Sequence, residues 1–140
     1  MKEIISHSEQ ETNALARDWS QRLISGNVLF LEGDLGAGKS VFARALIRAL
    51  TGDDELSVPS PTFTILQQYE TPDFPIWHYD LYRLKDPAEL EELSWDDALS
   101  EGIVIIEWPE RLYDMKPQGI TVKIEAVPGE TSSRKITITE

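Results

Sequence analysis

Cysteine is absent from all 140 residues, which excludes disulfides and thiolate-bound metals and suits a reducing compartment. Long apolar runs are missing as well. The longest aliphatic stretch is IVII at 103–106, far short of the ~20 residues that a bilayer crossing needs. The opening MKEIISHSEQ holds no apolar segment of the secretory kind. Positive charge is scarce: 25 acidic residues against 13 basic ones leave a net charge of −12. A surface of that sign repels phosphate backbones, and no stretch gathers Lys or Arg with aromatic residues as an RNA-binding face requires. DNA and membranes are therefore not expected as partners, and RNA is expected only through another protein. Repeats, low-complexity runs and long linkers are also missing. The expectation is a cytoplasmic protein with one domain over 1–140, large enough to bury its own core.

Against this plain background stands EGDLGAGKS at 32–40, with the spacing G-x-x-x-x-G-K-[ST]. Gly33, Gly36 and Gly38 let the backbone turn its N–H groups inward without side-chain clashes, and a following helix adds its positive end. Such a loop cradles phosphates. Lys39 would reach the β- and γ-phosphates, and the Ser40 hydroxyl would ligate Mg²⁺. The context agrees, because the apolar VLFLEG runs straight into the loop and Phe42, Ala45, Leu46, Ala49 and Leu50 mark a helix after it, ended by Gly52.

Around this unit the pattern predicts an α/β fold. Leu15, Trp19 and Leu23 recur every four residues, so 9–24 reads as an amphipathic helix capped by Ser8, with Glu11 as the capping-box acid. TFTILQQYE and PIWHYDLYRL read as two strands joined by a turn at Thr71, Pro72 and Asp73. DPAELEEL reads as a short helix with Asp86 as cap and Pro87 in first position, and SWDDAL adds a further helical turn. GIVIIEW is a second apolar strand of the kind buried in mid-sheet. ITVKIEAV and RKITITE alternate and should pair antiparallel through Pro128 and Gly129. Together these elements predict a P-loop NTPase-like domain with a mixed β-sheet flanked by helices.

A phosphate loop needs a second acid for the metal. Glu107, after four apolar strand residues, fits that place or is simply a solvated strand end. Thr62 lies in the polar SPTFT before a strand, where its hydroxyl could touch a γ-phosphate or a metal-bound water. In HYDLYRL, Asp80 shares a face with His78 and Tyr82, so it is either desolvated for a purpose or paired with a neighbour such as Arg83. His78 reads as a structural histidine. Trp108 either flanks a nucleotide or packs in the core. Guanine readers use Asn-Lys-x-Asp, whereas the two asparagines here, Asn13 and Asn27, precede no lysine; adenine is favoured. An arginine-rich lid and an acceptor insert, usual in P-loop small-molecule kinases, have no room between the elements.

Taken in order, GDLGAGKS, SPTFT, HYDLYRL with DPAELEEL, and IEWPERL resemble the TsaE (YjeE) family over nearly the whole chain. The last three blocks are far more specific than a phosphate loop. The resemblance implies a mixed sheet around the loop and weak ATP hydrolysis in tRNA threonylcarbamoyladenosine synthesis. It also implies the partners TsaB and TsaD, so that tRNA is met only indirectly. By position, the phosphates fall to Leu35, Gly36, Ala37, Gly38, Lys39 and Ser40, and Mg²⁺ to Ser40 and Glu107. Ser40 stands where many members have Thr, a change that keeps the hydroxyl. Asp80 matches the family's essential acid, placed at the γ-phosphate or the attacking water, and Thr62 matches a switch-like threonine. Glu9 and Thr12 fall where the first helix approaches the base. Trp108, Arg134 and Glu110 fall at further nucleotide contacts. The expected mechanism is ATP binding and hydrolysis that resets a TsaB–TsaD complex between cycles. Its rivals are a small-molecule kinase and a nucleotide-gated binding module.

Overall fold

The computed structural model describes residues 1–34, 36–61 and 64–140. Seven strands form one sheet: β1 (Lys2–Ser6), β2 (Val28–Glu32), β3 (Leu66–Glu70), β4 (Pro75–Asp80), β5 (Ile103–Glu107), β6 (Ile120–Val127) and β7 (Glu130–Thr139). Their order across the sheet is β1-β7-β6-β2-β5-β4-β3. β6, β2, β5 and β4 run parallel, while β7 and β3 run against their neighbours. The fold is the mixed α/β sheet that the sequence predicts.

The two apolar strands sit in the middle because both of their faces are covered. Leu29 and Leu31 of β2 join Ile103 and Ile105 of β5 on one face, beneath α1 (Glu9–Ser20) and α2 (Lys39–Thr51). Val28, Phe30, Val104 and Ile106 point to the other face, against α3 (Trp95–Glu101) and Leu112. The period of two thus assigns each residue to one of two cores.

Local signals behave as read at several element ends. The Ser8 side chain accepts the Glu11 N–H at 3.1 Å, and Gly52 closes α2 at φ 73°. Asp86 caps Pro87–Leu93 with a full capping box, although this segment winds as a 3-10 helix. Four boundaries differ from expectation, the first being β3, which starts at Leu66 after a turn at Thr64 rather than within TFTI. Helix α1 ends at Ser20 rather than 24, because Arg22 and Leu23 donate to Trp19 and Ser20 in tighter three-residue turns that still bury Leu23. Strand β4 stops at Asp80, where the Leu81 N–H turns to the carbonyl of Glu107. Strand β7 starts at Glu130, four residues before RKITITE. Strand β1 was not expected; it pairs antiparallel with β7, Lys2 opposite Ile138.

Candidate functional site

The carboxyl ends of β2, β4 and β5 bring Gly33, Asp80 and Glu107 to one edge of the sheet, where open α/β sheets place their ligands. The register makes Asp80 the direct neighbour of Glu107. Between β2 and α2 the chain passes through Gly33, Gly36 and Gly38 with φ of 151°, 80° and 111°. Gly33 must be glycine for space as well, since a Cβ there would meet the Ile124 carbonyl oxygen at 2.6 Å. Gly38 caps α2 without a side-chain bond, so the first-turn N–H groups of a 13-residue helix are not capped by a side chain.

Lys39 opens that helix and is 6 % exposed, yet its Nζ has no hydrogen-bond partner among the described residues. It lies 3.5 Å from the centroid of the Trp108 ring. Burial pushes its pKa below the ordinary 10.5, and the negative charges of Glu107, Glu110, Asp80 and Asp34 oppose that shift. A buried cation without a donor–acceptor contact, beside a glycine turn and a helix N-terminus, fits an anion such as a phosphate.

A cavity of about 370 Å³ surrounds it, walled by Gly36, Gly38, Lys39 and Ser40 on one side and by Ser60, Asp80, Tyr82, Glu107 and Trp108 on the other. Asp80 is 3 % exposed; its carboxylate accepts the Tyr82 N–H at 3.0 Å and the Ser60 hydroxyl at 3.3 Å. Glu107 is 2 % exposed and meets His78 Nε2 at 2.7 Å through Oε2. Among the described residues no three His, Asp or Glu side chains gather around a point that could hold a metal. A cation here would take Ser40 and Glu107 from the wall and the rest of its shell from ligand and water.

A second hollow of about 360 Å³ adjoins the loop, with Gly38 and Val41 in both walls. It gathers Glu9 and Thr12 of α1, Ala37 of the loop and Arg134 of β7, three separate parts of the chain. Arg134 Nε donates to the Ala37 carbonyl at 2.8 Å, tying β7 to the phosphate loop. Thr12 is buried and shares a 2.7 Å hydrogen bond with Ser6, and Glu9 pairs with Arg44 at 3.3 Å.

The model of the family described as Threonylcarbamoyl adenosine biosynthesis protein TsaE matches residues 6–136. The chain belongs to the TsaE family. Its setting is therefore the biosynthesis of threonylcarbamoyladenosine in tRNA. The TsaE protein of Aquifex aeolicus is 38% identical over 138 residues, covering 99% of this chain and 96% of its own. That of Rickettsia conorii is 43% identical over 122 residues, with 86% and 69% covered. The crystal structure of Bacillus subtilis YdiB superimposes with a TM-score of 0.78 at 28% identity, covering 98% of this chain and 83% of that one. The fold is P-loop NTPase-like.

In this TsaE chain Lys39, Ser40, Asp80, Glu107 and Trp108 line one cavity, together with Gly36 and Gly38. Leu35 and Thr62 lie outside the described residues. Glu110 is exposed beyond Trp108 and is not part of the cavity wall; its charge acts on Lys39 from outside. Trp108 is half-buried, packed on the core on one side and against the Tyr82 ring, at 5.0 Å, on the other. Sequence reasoning passed over Ser60 and Tyr82 as site residues, although both lie within blocks already singled out, SPTFT and HYDLYRL, and Tyr82 shares the Asp80 face by alternation. His78, read as a structural histidine, contacts Glu107 through Nε2.

Proposed function

We propose that this protein binds ATP with Mg²⁺ and hydrolyses it slowly to reset a TsaB–TsaD complex in the cytoplasm during tRNA threonylcarbamoyladenosine synthesis. The observation that carries the reading is Lys39: a buried ammonium with no hydrogen-bond partner among the described residues, at a helix N-terminus, lining one cavity with Asp80 and Glu107. Family membership supplies the pathway.

Phosphoryl transfer is catalysed chiefly by positioning and charge neutralisation. Lys39 and the loop N–H groups provide a fixed positive field where the phosphates would sit. Mg²⁺ on Ser40 and Glu107 would supply the remaining charge neutralisation. The Asp80 carboxylate accepts from the Tyr82 N–H and the Ser60 hydroxyl, and these contacts hold its orientation at the cavity wall. Lys39 is the sole cation of the cavity wall among the described residues. Without an arginine there, hydrolysis by the isolated chain is slow, and a protein partner that adds positive charge speeds it. The net charge of −12 agrees with tRNA reached through partners.

The deciding experiment measures ATP turnover alone and with TsaB–TsaD, and asks whether Asp80→Ala and Glu107→Ala support tRNA modification in cells lacking the native protein. ADP and phosphate as sole products, faster turnover on mixing and failed complementation are expected. A phosphorylated metabolite would replace the reading with a kinase. Unchanged turnover on mixing would remove the coupling, and full complementation by both variants would leave only a nucleotide-gated binding module.

A further inference from the structure

We propose that His78 is a positioning residue whose Nε2–H fixes the Glu107 carboxylate in the orientation that serves a metal ion. The inference rests on the reading of Glu107 as a metal ligand. His78 and Glu107 lie on adjacent parallel strands, but they are not direct neighbours: His78 sits opposite Ile105, and Asp80 sits opposite Glu107. With a period of two, His78, Asp80, Ile105 and Glu107 share one face, and the imidazole reaches along that face to the carboxylate. The contact is 2.7 Å, with both side chains 2% and 3% exposed. An ionised carboxylate can only accept, so the proton belongs to Nε2 and the tautomer is set by Glu107.

Two further observations give this contact a purpose. His78 Nδ1 is buried with no hydrogen-bond partner among the described residues. An apolar side chain would fill the space without that orphan, so the histidine is retained for its other nitrogen. Second, Lys39 lines the same cavity with opposite charge, yet its Nζ makes no hydrogen bond among the described residues. The hold on Glu107 is therefore His78's. One oxygen of the carboxylate is fixed, and the residue still contributes to the cavity wall beside Ser40. Groups that fix a ligating carboxylate by hydrogen bonding govern metal affinity without touching the metal.

The test titrates Mg²⁺ against binding of a fluorescent ADP analogue, in the wild type and in His78→Leu, His78→Asn, His78→Gln and Glu107→Gln. Thermal unfolding without nucleotide checks that each variant is folded. His78→Leu removes the donor; His78→Asn keeps an amide too short to reach Glu107; His78→Gln restores an N–H near the Nε2 position. The Mg²⁺ concentration for half-maximal tightening should rise about 10- to 100-fold in the Leu and Asn variants. Affinity in EDTA should stay at the wild-type value, and Gln should recover most of the loss. If Leu fails to fold, Asn decides. A wild-type Mg²⁺ requirement in the Leu or Asn variant overturns the proposal, as does a Gln variant as impaired as Leu, or equal weakening with and without Mg²⁺. Retained Mg²⁺ dependence in Glu107→Gln overturns the metal role of Glu107 and this proposal with it. Lost dependence there, with none lost in the His78 variants, overturns only the role of His78. No analogue binding to the wild type removes the ATP reading itself.

Discussion

The Nζ of Lys39 rests 3.5 Å from the centroid of the Trp108 ring, a cation placed over an aromatic face. Such a contact is worth about 1–2 kcal/mol when partly desolvated, whereas each hydrogen bond to a charged phosphate is worth about 1.5–3 kcal/mol. On the proposed reading, a bound phosphate should therefore draw the ammonium off the ring. Trp19, Trp77 and Trp95 are buried in the two cores, and Trp108 is the tryptophan of the cavity wall. Adding ADP should change the intrinsic tryptophan fluorescence, and Trp108→Phe should remove most of that change while the other three indoles remain. An undiminished change in Trp108→Phe would show that the signal arises elsewhere.

Lys39→Met should separate stability from binding. The substitution replaces a buried ammonium that has no hydrogen-bond partner among the described residues with an apolar chain of similar length, so the ligand-free protein should unfold at an equal or higher temperature. Nucleotide affinity should fall about 10- to 100-fold, corresponding to the loss of one charge-assisted contact. The comparison has a defined pH dependence. Burial lowers the folded-state pKa of Lys39 below 10.5, so between that lowered value and 10.5 the unfolded chain binds more protons than the folded one. Stability then rises with pH across this window. Its destabilising effect is complete below the folded pKa and fades above it. The advantage of Lys39→Met, measured by urea unfolding at a series of pH values, should shrink as pH approaches 10.5. A constant difference would show that Lys39 keeps its ordinary pKa.

Asp80→Asn tests the acid without unfolding the site. Asparagine keeps a carbonyl oxygen for the Tyr82 N–H, and its amide can stand near the Ser60 hydroxyl. The fold should survive, and ADP should bind nearly as in the wild type. Phosphate release should fall about 10²- to 10⁴-fold, the range for losing a positioned acid–base group. If turnover stays within a few-fold of wild type, Asp80 does not act on the attacking water.

What could be read from the residues was whatever is local. The strand–loop–helix unit from Val28 to Thr51 is contiguous, so its apolar period, its glycines and its terminal Gly52 all lie within reach of one another. Strand β1 escaped because KEIIS is short and mostly exposed, and its partner β7 lies at the opposite end of the chain. Alternation put His78, Asp80 and Tyr82 on one face, but no period within a strand tells which strand lies alongside. The His78–Glu107 contact spans 29 positions and depends on β4 running parallel to β5 in one particular register. Trp108 was ambiguous for a related reason. Its backbone turns left-handed at φ 59°, which lets one ring pack on the core and still face Lys39. Side chains that contact each other across strands are set by topology, and topology is the least local property of the chain.

Two glycines of the loop should respond differently to alanine. Gly36 has φ 80° and open space where a Cβ would stand, so Gly36→Ala carries only the left-handed backbone cost of about 1–2 kcal/mol. Gly33 has φ 151°, and its Cβ would come 2.6 Å from the backbone oxygen of Ile124 and 3.3 Å from the Cβ of Ala37. Neither neighbour is the free end of a flexible side chain. The loop must lift away from β6, so Gly33→Ala should cost about 3 kcal/mol, a fall in melting temperature of about 10 °C for a chain of this size. The same shift displaces the Ala37 carbonyl from Arg134 and the loop N–H groups from the cavity, so ADP affinity should fall more in Gly33→Ala than in Gly36→Ala. Scanning calorimetry and ADP titration on the two variants give both orders, and equal losses would mean that the contact with Ile124 does not set the loop.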